Sequence, residues 1–214
     1  MTTTLVLDTC LGACQVALAG DGRTLAFRSE AMLRGHQERL APMTAEVMDQ
    51  AGMAFAAVTR IAVTVGPGSF TGLRVGLAFA KGLQLATGAA LVGIGTLEAL
   101  AAGAPGGGRV AAVIDARRSQ VYLQAFEAGR PLMAPDALSL QAAAARLAEL
   151  APDGDILAIG PGAGLLEGVL GAARLREIAA PDIAALIRLA EAAAPQADVR
   201  PLYLRAPDAT LAVP

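Results

Sequence analysis

IAVTVGPGSFTGLRVGLAFAKGLQLATG, residues 61–88, is the stretch that decides the fold. Its first five residues, 61–65, are mostly apolar and mostly β-branched, and the Gly-Pro-Gly that follows is a strong turn signal. Together they predict a buried strand. A glycine-rich turn covers residues 66–72. The remainder has the apolar spacing of an amphipathic helix, which we expect over 70–87. The stretch therefore predicts a strand–glycine turn–helix unit.

The glycine turn has two interpretations. Such a turn can aim free backbone N–H groups at a phosphate, and Arg74 at the start of the helix would add positive charge. It can equally be a tight turn that needs glycine backbone angles, and we favour this structural role. The turn lacks the Gly-Lys-Ser/Thr ending of a Walker A loop. Farther along the helix, Gly76 and Ala80 predict a smooth groove that another helix could approach closely.

Composition limits the function classes. The 214 residues suffice for one large domain or two small lobes. A net charge of −2 and only 3% aromatic residues argue against a protein that grips nucleic acid by itself. Cys10 and Cys14 lie in one short turn with no second pair, so we expect reduced thiols. We see no signal peptide and no membrane span, and these features together predict a soluble, cytoplasmic protein.

The second half of the chain repeats the first. AVID at 112–115 answers LVLD at 5–8, and the Gly-Pro-Gly of 66–68 recurs at 160–162. Such repeats indicate duplicated lobes. We place them at 1–105 and 106–214, divided by the glycine-rich run 104–108, with the final helix as a candidate to pack back on the first lobe.

Each copy is expected to follow the order β-β-β-α-β-α. This order predicts an α/β protein of the actin-like ATPase architecture, also called ribonuclease-H-like or ASKHA, with helices on both faces of its parallel strands. The individual predictions are strands at 4–8, 14–19, 24–29, 61–65 and 91–94, helices at 36–50, 70–87, from 96 and at 183–194, an extended piece at 201–205 and a frayed end at 206–214.

Four motifs carry a family resemblance: HQERLAP, VGPGSFTGLRVGLAFAKGLQLATG, DARRSQVY and PLYLR, in that order between residues 36 and 205. The chain closely resembles the TsaB family of the bacterial tRNA threonylcarbamoyladenosine machinery. The resemblance implies the actin-like fold and a heterodimer with the catalytic paralogue TsaD, joined by the ATPase TsaE. Together these proteins move a threonylcarbamoyl group from an adenylate to N6 of adenosine 37 in tRNA.

In this family the TsaB-like subunit is a scaffold and activator, which forms a homodimer when the partner is absent. The resemblance implies no cofactor in the isolated chain, ATP or ADP with Mg²⁺ in the assembled complex, and tRNA contact only through the complex. The helices at 36–50 and 70–87 would face the partner. The partner-binding residues expected on them are His36, Glu38, Leu40, Met43, Val47, Arg74, Gly76, Phe79, Ala80 and Leu83.

A catalytic centre is not expected. The catalytic paralogues hold a metal with paired histidines on a helix, whereas this chain has one histidine, His36, in HQERL. One imidazole cannot supply the several ligands that a catalytic metal needs. The sequence also offers His36 no neighbouring nucleophile. These observations disfavour a metallopeptidase.

Two strand-end carboxylates keep a second hypothesis open, a stand-alone ATP-binding enzyme of the actin-like fold. Asp8 and Asp115 end equivalent strands, and in related sugar kinases acidic groups at this place bind magnesium and position phosphate. The weak candidates for nucleotide binding are Asp8, Gly66, Gly68 and Asp115. The alternative is that each Asp caps a turn. Arg117 and Arg118 are expected in a solvated turn, with tRNA or partner contact as the alternative.

Overall fold

The first five strands form one mixed sheet in the computed structural model, which describes residues 2–205. Its strand order is β3-β2-β1-β4-β5, an antiparallel meander extended by two parallel strands. This confirms the predicted strands of the first copy. Their bounds are β1 (Thr3–Asp8), β2 (Ala13–Gly20), β3 (Arg23–Ala31), β4 (Arg60–Thr64) and β5 (Ala90–Ile94).

The helices of the described part have the bounds α1 (His36–Gln50), α2 (Phe70–Thr87), α3 (Thr96–Ala102), α4 (Leu140–Leu150), α5 (Glu167–Leu170) and α6 (Ile183–Ala192). Helices α1 and α2 cover one face of the first sheet, over a core that includes Leu5 and Leu7. The opposite face is covered by α6, with Leu186 and Ile187 against Val6. Both faces are therefore covered, as the parallel strands require. None of these helices is both long and apolar enough to cross a membrane.

The predicted strand–turn–helix unit is confirmed, with α2 at the expected bounds. Ser69 caps the helix because its Oγ accepts a hydrogen bond from the N–H of Gly72 at 3.2 Å. Gly88 ends it in the left-handed region at φ 72°. The segment 201–205 has no regular structure. It lies beside the glycine turn, where the Leu202 N–H donates to the Val65 carbonyl at 2.7 Å.

The second copy departs from the predicted order at two places. Its sheet runs β11-β10-β6-β7-β8, and the expected third strand is split into β8 and β9, which both pair with β7. Pro131 and Pro135 explain the break, because proline cannot donate to a strand ladder. The strands are β6 (Arg109–Arg117), β7 (Gln120–Glu127), β8 (Arg130–Pro131), β9 (Asp136–Ser139), β10 (Ile156–Ile159) and β11 (Leu175–Arg176).

The second departure follows β10, where a 3-10 turn (Ala163–Leu166) and the single turn α5 stand in place of the last helix of the expected order. Glycines at 160, 162, 164, 168 and 171 weaken any helix there. Helix α6 ends at Ala192, two residues before the predicted end. The two sheets lie on either side of the 104–108 run, while α6 returns to the first sheet; the lobe limits 1–105 and 106–214 stay a prediction. The expected frayed end, 206–214, lies outside the described residues.

Candidate functional site

The glycine turn packs directly on the loop between β1 and β2. A Cβ added at Gly68 would overlap the Cys10 carbonyl oxygen, and one at Gly72 would overlap the carbonyl oxygen of Thr9. The Ser69 N–H donates to the Cys10 carbonyl at 2.7 Å, and the Thr9 hydroxyl donates to the Gly72 carbonyl at 2.6 Å. This packing explains why glycine is needed, and it uses the Ser69 N–H inside the chain. It favours the structural interpretation of the turn.

Asp8 is fully buried at the end of β1. Its Oδ1 accepts hydrogen bonds from the Thr64 hydroxyl at 2.6 Å and the Cys10 N–H at 3.1 Å. Its Oδ2 has no partner. Burial raises the pKa of this carboxyl, and the bonds from Thr64 and Cys10 oppose the rise only in part. The group therefore serves as an internal cap for the strand end.

The two cysteines are free, as expected for reduced thiols, and both are buried. Burial raises the pKa of the Cys10 thiol to about 12 and that of the Cys14 thiol to about 11. Protonated thiols are poor nucleophiles and poor metal ligands. Within residues 2–205 no group of three His, Cys, Asp or Glu side chains is placed to hold a metal ion. His36 is 5% exposed, with Nε2 3.3 Å from the Ala13 carbonyl oxygen.

A cleft of about 700 Å³ opens between the two sheets, at the ends of β1 and β6. Asp115 lines it, whereas Asp8 is closed off from it. The Asp115 carboxylate accepts hydrogen bonds from the Arg117 N–H at 2.7 Å and from Arg117 Nη1 at 3.1 Å. The structure thus separates the two predicted carboxylates. The lining residues are Cys10, Leu11, Leu33, Arg34, Gly68, Ser69, Ile114, Asp115, Ala116, Arg117, Tyr122, Pro161 and Arg205.

Gly66 and Gly68 occupy different places relative to this cleft. Gly68 lines it, while Gly66 is buried in the left-handed region at φ 101°, beside the Leu73 side chain. The four residues nominated for nucleotide therefore do not share one exposed surface. Their role in nucleotide binding stays a prediction.

The structure corrects six of the ten residues expected to face a partner. All six are buried in the core between the first sheet and its helices: His36, Leu40, Met43, Val47, Gly76 and Ala80. A Cβ added at Gly76 would come within 2.5 Å of Thr9 Oγ1 and 3.5 Å of Val63 Cγ2, so this glycine faces the chain's own sheet. The apolar stripe of each helix covers the sheet, which must exclude water on this face.

The remaining four residues are accessible. Glu38 and Arg74 are exposed, and Phe79 and Leu83 are half-buried at the edge of the core. Their partner contacts stay a prediction. Sequence reasoning missed a neighbouring exposed stripe on α2, formed by Ala78, Gly82 and Leu85. The signal was its spacing of four and three residues, in register with Arg74. Helix α1 adds exposed residues, and we call the combined surface the outer α1–α2 face: Ala41, Pro42, Ala45, Ala78, Gly82 and Leu85.

Comparison with known sequences gives a consistent grouping. Residues 29–154 match the family model described as TsaD, tRNA N6-adenosine threonylcarbamoyltransferase. The chain is 38% identical over 126 residues to the tRNA threonylcarbamoyladenosine biosynthesis protein TsaB of Escherichia coli, which covers 58% of this chain and 54% of that protein. The chain thus spans about half the length of the curated TsaB relatives it matches. An uncharacterized protein of Mycobacterium tuberculosis is 33% identical over 98% of this chain and 94% of its own length.

Solved structures agree with the sequences. The chain resembles a Pseudomonas aeruginosa protein described as YeaZ, with a TM-score of 0.74 and 34% identity over 89% of this chain and 91% of that one. An actin-like sugar kinase, the ROK hexokinase of Thermus thermophilus, matches with a TM-score of 0.52 and 18% identity over 89% of this chain and 98% of that one. At that identity the hexokinase shows the fold alone, and it agrees with the predicted actin-like class.

Proposed function

Because the chain belongs to the TsaB family, we propose that it is a non-catalytic subunit of the machinery that makes threonylcarbamoyladenosine in tRNA. Its partner would be a TsaD-like catalytic paralogue, assisted by a TsaE-like ATPase. Without that partner the chain would pair with a second copy of itself. The tRNA would be bound by the assembly, which we expect in the cytoplasm.

The outer α1–α2 face is the observation that carries this proposal. Leu85 is 88% exposed, and its neighbours on the stripe are the small residues Ala78 and Gly82. Half-buried Phe79 and Leu83 border the stripe, so a helix laid across it would remove both from water. Small side chains let two helices approach closely. An exposed apolar surface of low relief is typical of a protein–protein contact.

The resemblance between this chain and the proposed partner supports the same surface. Residues 29–154, which match the TsaD family model, contain both α1 and α2. Two chains that share a fold can pair through equivalent helices around an approximate two-fold axis. The same geometry would serve a homodimer. The outer α1–α2 face is therefore the surface we assign to both contacts.

The candidate catalytic groups are buried or hydrogen-bonded within the chain, which supports a non-catalytic role. Asp8 is buried and bonded to Thr64 and Cys10, and the His36 ring is packed against Ala13. The glycine turn is filled by the loop at residues 9–10. A fully buried carboxyl does not fit a magnesium site, which needs access to water and phosphate ligands. We therefore assign ATP and Mg²⁺ to the assembled complex.

A single substitution on the outer α1–α2 face tests the proposal. A Cβ at Gly82 meets nothing within 4 Å, so Gly82→Arg should fold normally while its side chain blocks a facing helix. We expect loss of co-purification with the TsaD-like subunit and an unchanged melting temperature. Gly168→Arg is the matched control, because Gly168 lies in α5 of the other lobe and is equally open.

Retention of the partner by Gly82→Arg at wild-type yield would overturn this assignment. Gly76→Arg is unsuitable as a test, since Gly76 is buried and the variant would lose its fold as well as any partner.

A further inference from the structure

The mouth of the cleft is basic in a chain whose net charge is −2. Arg34, Arg117 and Arg205 line it, and Asp115 is the one acidic residue among the described lining. The Arg117 side chain is 83% exposed. Arg34 is exposed and has no hydrogen-bond or ion-pair partner within residues 2–205. Guanidinium groups gathered at one opening favour an anionic ligand, and phosphate matches their planar fork of donors.

The turn that presents Arg117 has an unusual backbone. Arg117, Arg118 and Ser119 all lie in the left-handed region, with φ of 64°, 54° and 58°. Non-glycine residues rarely adopt this conformation singly, and three in succession are costly. The Asp115 carboxylate holds the turn by accepting the Arg117 N–H. Strain of this kind is found where a protein fixes a functional side chain.

Two half-exposed aromatic rings lie close in sequence to residues that line the cleft. The rings of Phe70 and Tyr203 have centroids 5.8 Å apart, and they are 48% and 47% exposed. Arg74 fixes the pair, since its guanidinium lies 3.7 Å from the Phe70 ring centroid and its Nε donates to the Tyr203 hydroxyl at 3.1 Å. Ser69, which precedes Phe70, and Arg205, two residues after Tyr203, both line the cleft.

This concentration of rings is informative because aromatic residues are scarce. The chain has five phenylalanines, two tyrosines and no tryptophan. Phe70 directly follows Ser69 of the cleft lining, Tyr203 comes two residues before Arg205 of that lining, and Tyr122 lines the cleft itself. The low aromatic content argues against a chain that binds nucleic acid by itself. The fold nevertheless pairs two of these few rings, and both lie within two residues of the cleft lining.

We infer that the mouth of this cleft binds a single-stranded segment of RNA. Phosphates would lie on Arg34 and Arg117, and an unpaired base would stack on the Phe70–Tyr203 pair. Arginines beside open rings are the combination that single-stranded nucleic acids require, because every base offers a face for stacking. The choice of RNA rests on the proposed function. The contact is weak alone and adds to the RNA contacts of the partner.

Fluorescence anisotropy with a short labelled single-stranded RNA tests the inference on the full chain. The double variant Arg34→Gln, Arg117→Gln should weaken binding. It should also reduce the slope of log K against log salt by about 0.7 for each phosphate that the variant no longer neutralises. Tyr203→Leu should weaken binding about five-fold or more while leaving the salt slope unchanged, because it removes only stacking. Tyr203→Phe, which keeps the ring but loses the hydrogen bond from Arg74, should bind more tightly than Tyr203→Leu.

Arg130→Gln is the control. Arg130 is exposed and starts β8, just after β7 ends at Glu127. Arg117 pairs with Gln120, at the other end of β7. Equal weakening by Arg130→Gln and the double variant would indicate diffuse electrostatic binding and overturn the inference. Absence of RNA binding by wild type would overturn it as well. Mg-ATP that displaces the RNA at micromolar concentration would instead assign the cleft to a free nucleotide.

The two proposals can fail separately. Gly82→Arg should keep RNA binding and lose the TsaD-like subunit, whereas the cleft variants should keep that subunit. If the cleft variants leave RNA affinity unchanged while Gly82→Arg still loses the partner, the RNA inference falls and the proposed function stands.

Discussion

Replacing Asp8 with asparagine should stabilise the protein at neutral pH. The wild-type carboxyl is fully buried, and its Oδ2 has no partner. Asparagine keeps an oxygen for the Thr64 and Cys10 donors. It also places an N–H donor on the side that lacks one. Gln15 lies directly opposite on β2, and its Oε1 is another buried atom without a partner. The variant can therefore satisfy two unpaired groups at once.

The expected gain is about 1–3 kcal/mol, the usual penalty for a buried polar group without a partner. For a chain of this length, each kcal/mol corresponds to a rise of about 2–4 °C in melting temperature. The pKa of Asp8 is raised in the folded protein, from an ordinary 3.8. The folded state thus holds its proton at a pH where the unfolded state has released it. Wild-type stability should fall as pH rises from the unfolded pKa to the folded pKa, and the advantage of asparagine should grow over the same interval.

Urea unfolding of both proteins, measured from acidic to neutral pH, provides the assay. The curves should nearly coincide at acidic pH and separate as pH increases. Asp8→Leu is the control, since it fills similar space but leaves the Cys10 N–H and the Thr64 hydroxyl without their acceptor, and it should be less stable than wild type. A wild-type protein more stable than the asparagine variant at neutral pH would refute this reasoning.

Two further predictions concern the same region. Gly72→Ala should lower the free energy of unfolding by about 1–3 kcal/mol, because its Cβ would press on the Thr9 carbonyl. Gly82→Ala has open space around it and should raise the free energy of unfolding by about 0.5–1 kcal/mol through better helix propensity. Chemical denaturation of both variants would distinguish packing from helix propensity. Cys10 and Cys14 should react with a thiol reagent at mildly alkaline pH only after unfolding, since burial holds their pKa values at about 12 and 11, and rapid labelling of the native chain would contradict the packing described.

The sequence predicts where helices begin and end better than it predicts which side of a helix packs on the sheet. Helix α2 starts and stops where the sequence places its Ser69 cap and Gly88, because both signals act locally. Which side of α2 meets the sheet depends on residues far away in sequence. Gly76 and Ala78, two positions apart, lie on nearly opposite sides of a helix. Without the Thr9 contact in view, the small residues facing inward could not be told from those facing solvent.

The candidate site shows the same division. Asp8 and Asp115 occupy equivalent strand ends, and the sequence alone treats them alike. Tertiary packing buries Asp8 and leaves Asp115 in the cleft. The aromatic pair could not be found from sequence, since Phe70 and Tyr203 are brought together only where the chain returns beside the glycine turn, at the Leu202–Val65 hydrogen bond. In the second copy, proline and glycine placement altered the repeat more than the matching strings suggested.

The packing of α6 on the first sheet affects when the amino-terminal lobe can finish folding during synthesis. Helix α6 covers Val6 and Val92 with Leu186, Ile187 and Ala190. One face of the first strands therefore stays exposed to solvent until α6 has left the ribosome. During most of the synthesis of the chain, the amino-terminal lobe therefore exposes an apolar sheet face that can aggregate. The same helix comes from the second half of the chain and packs on the first sheet, so a cut between the lobes would not release two independent bodies.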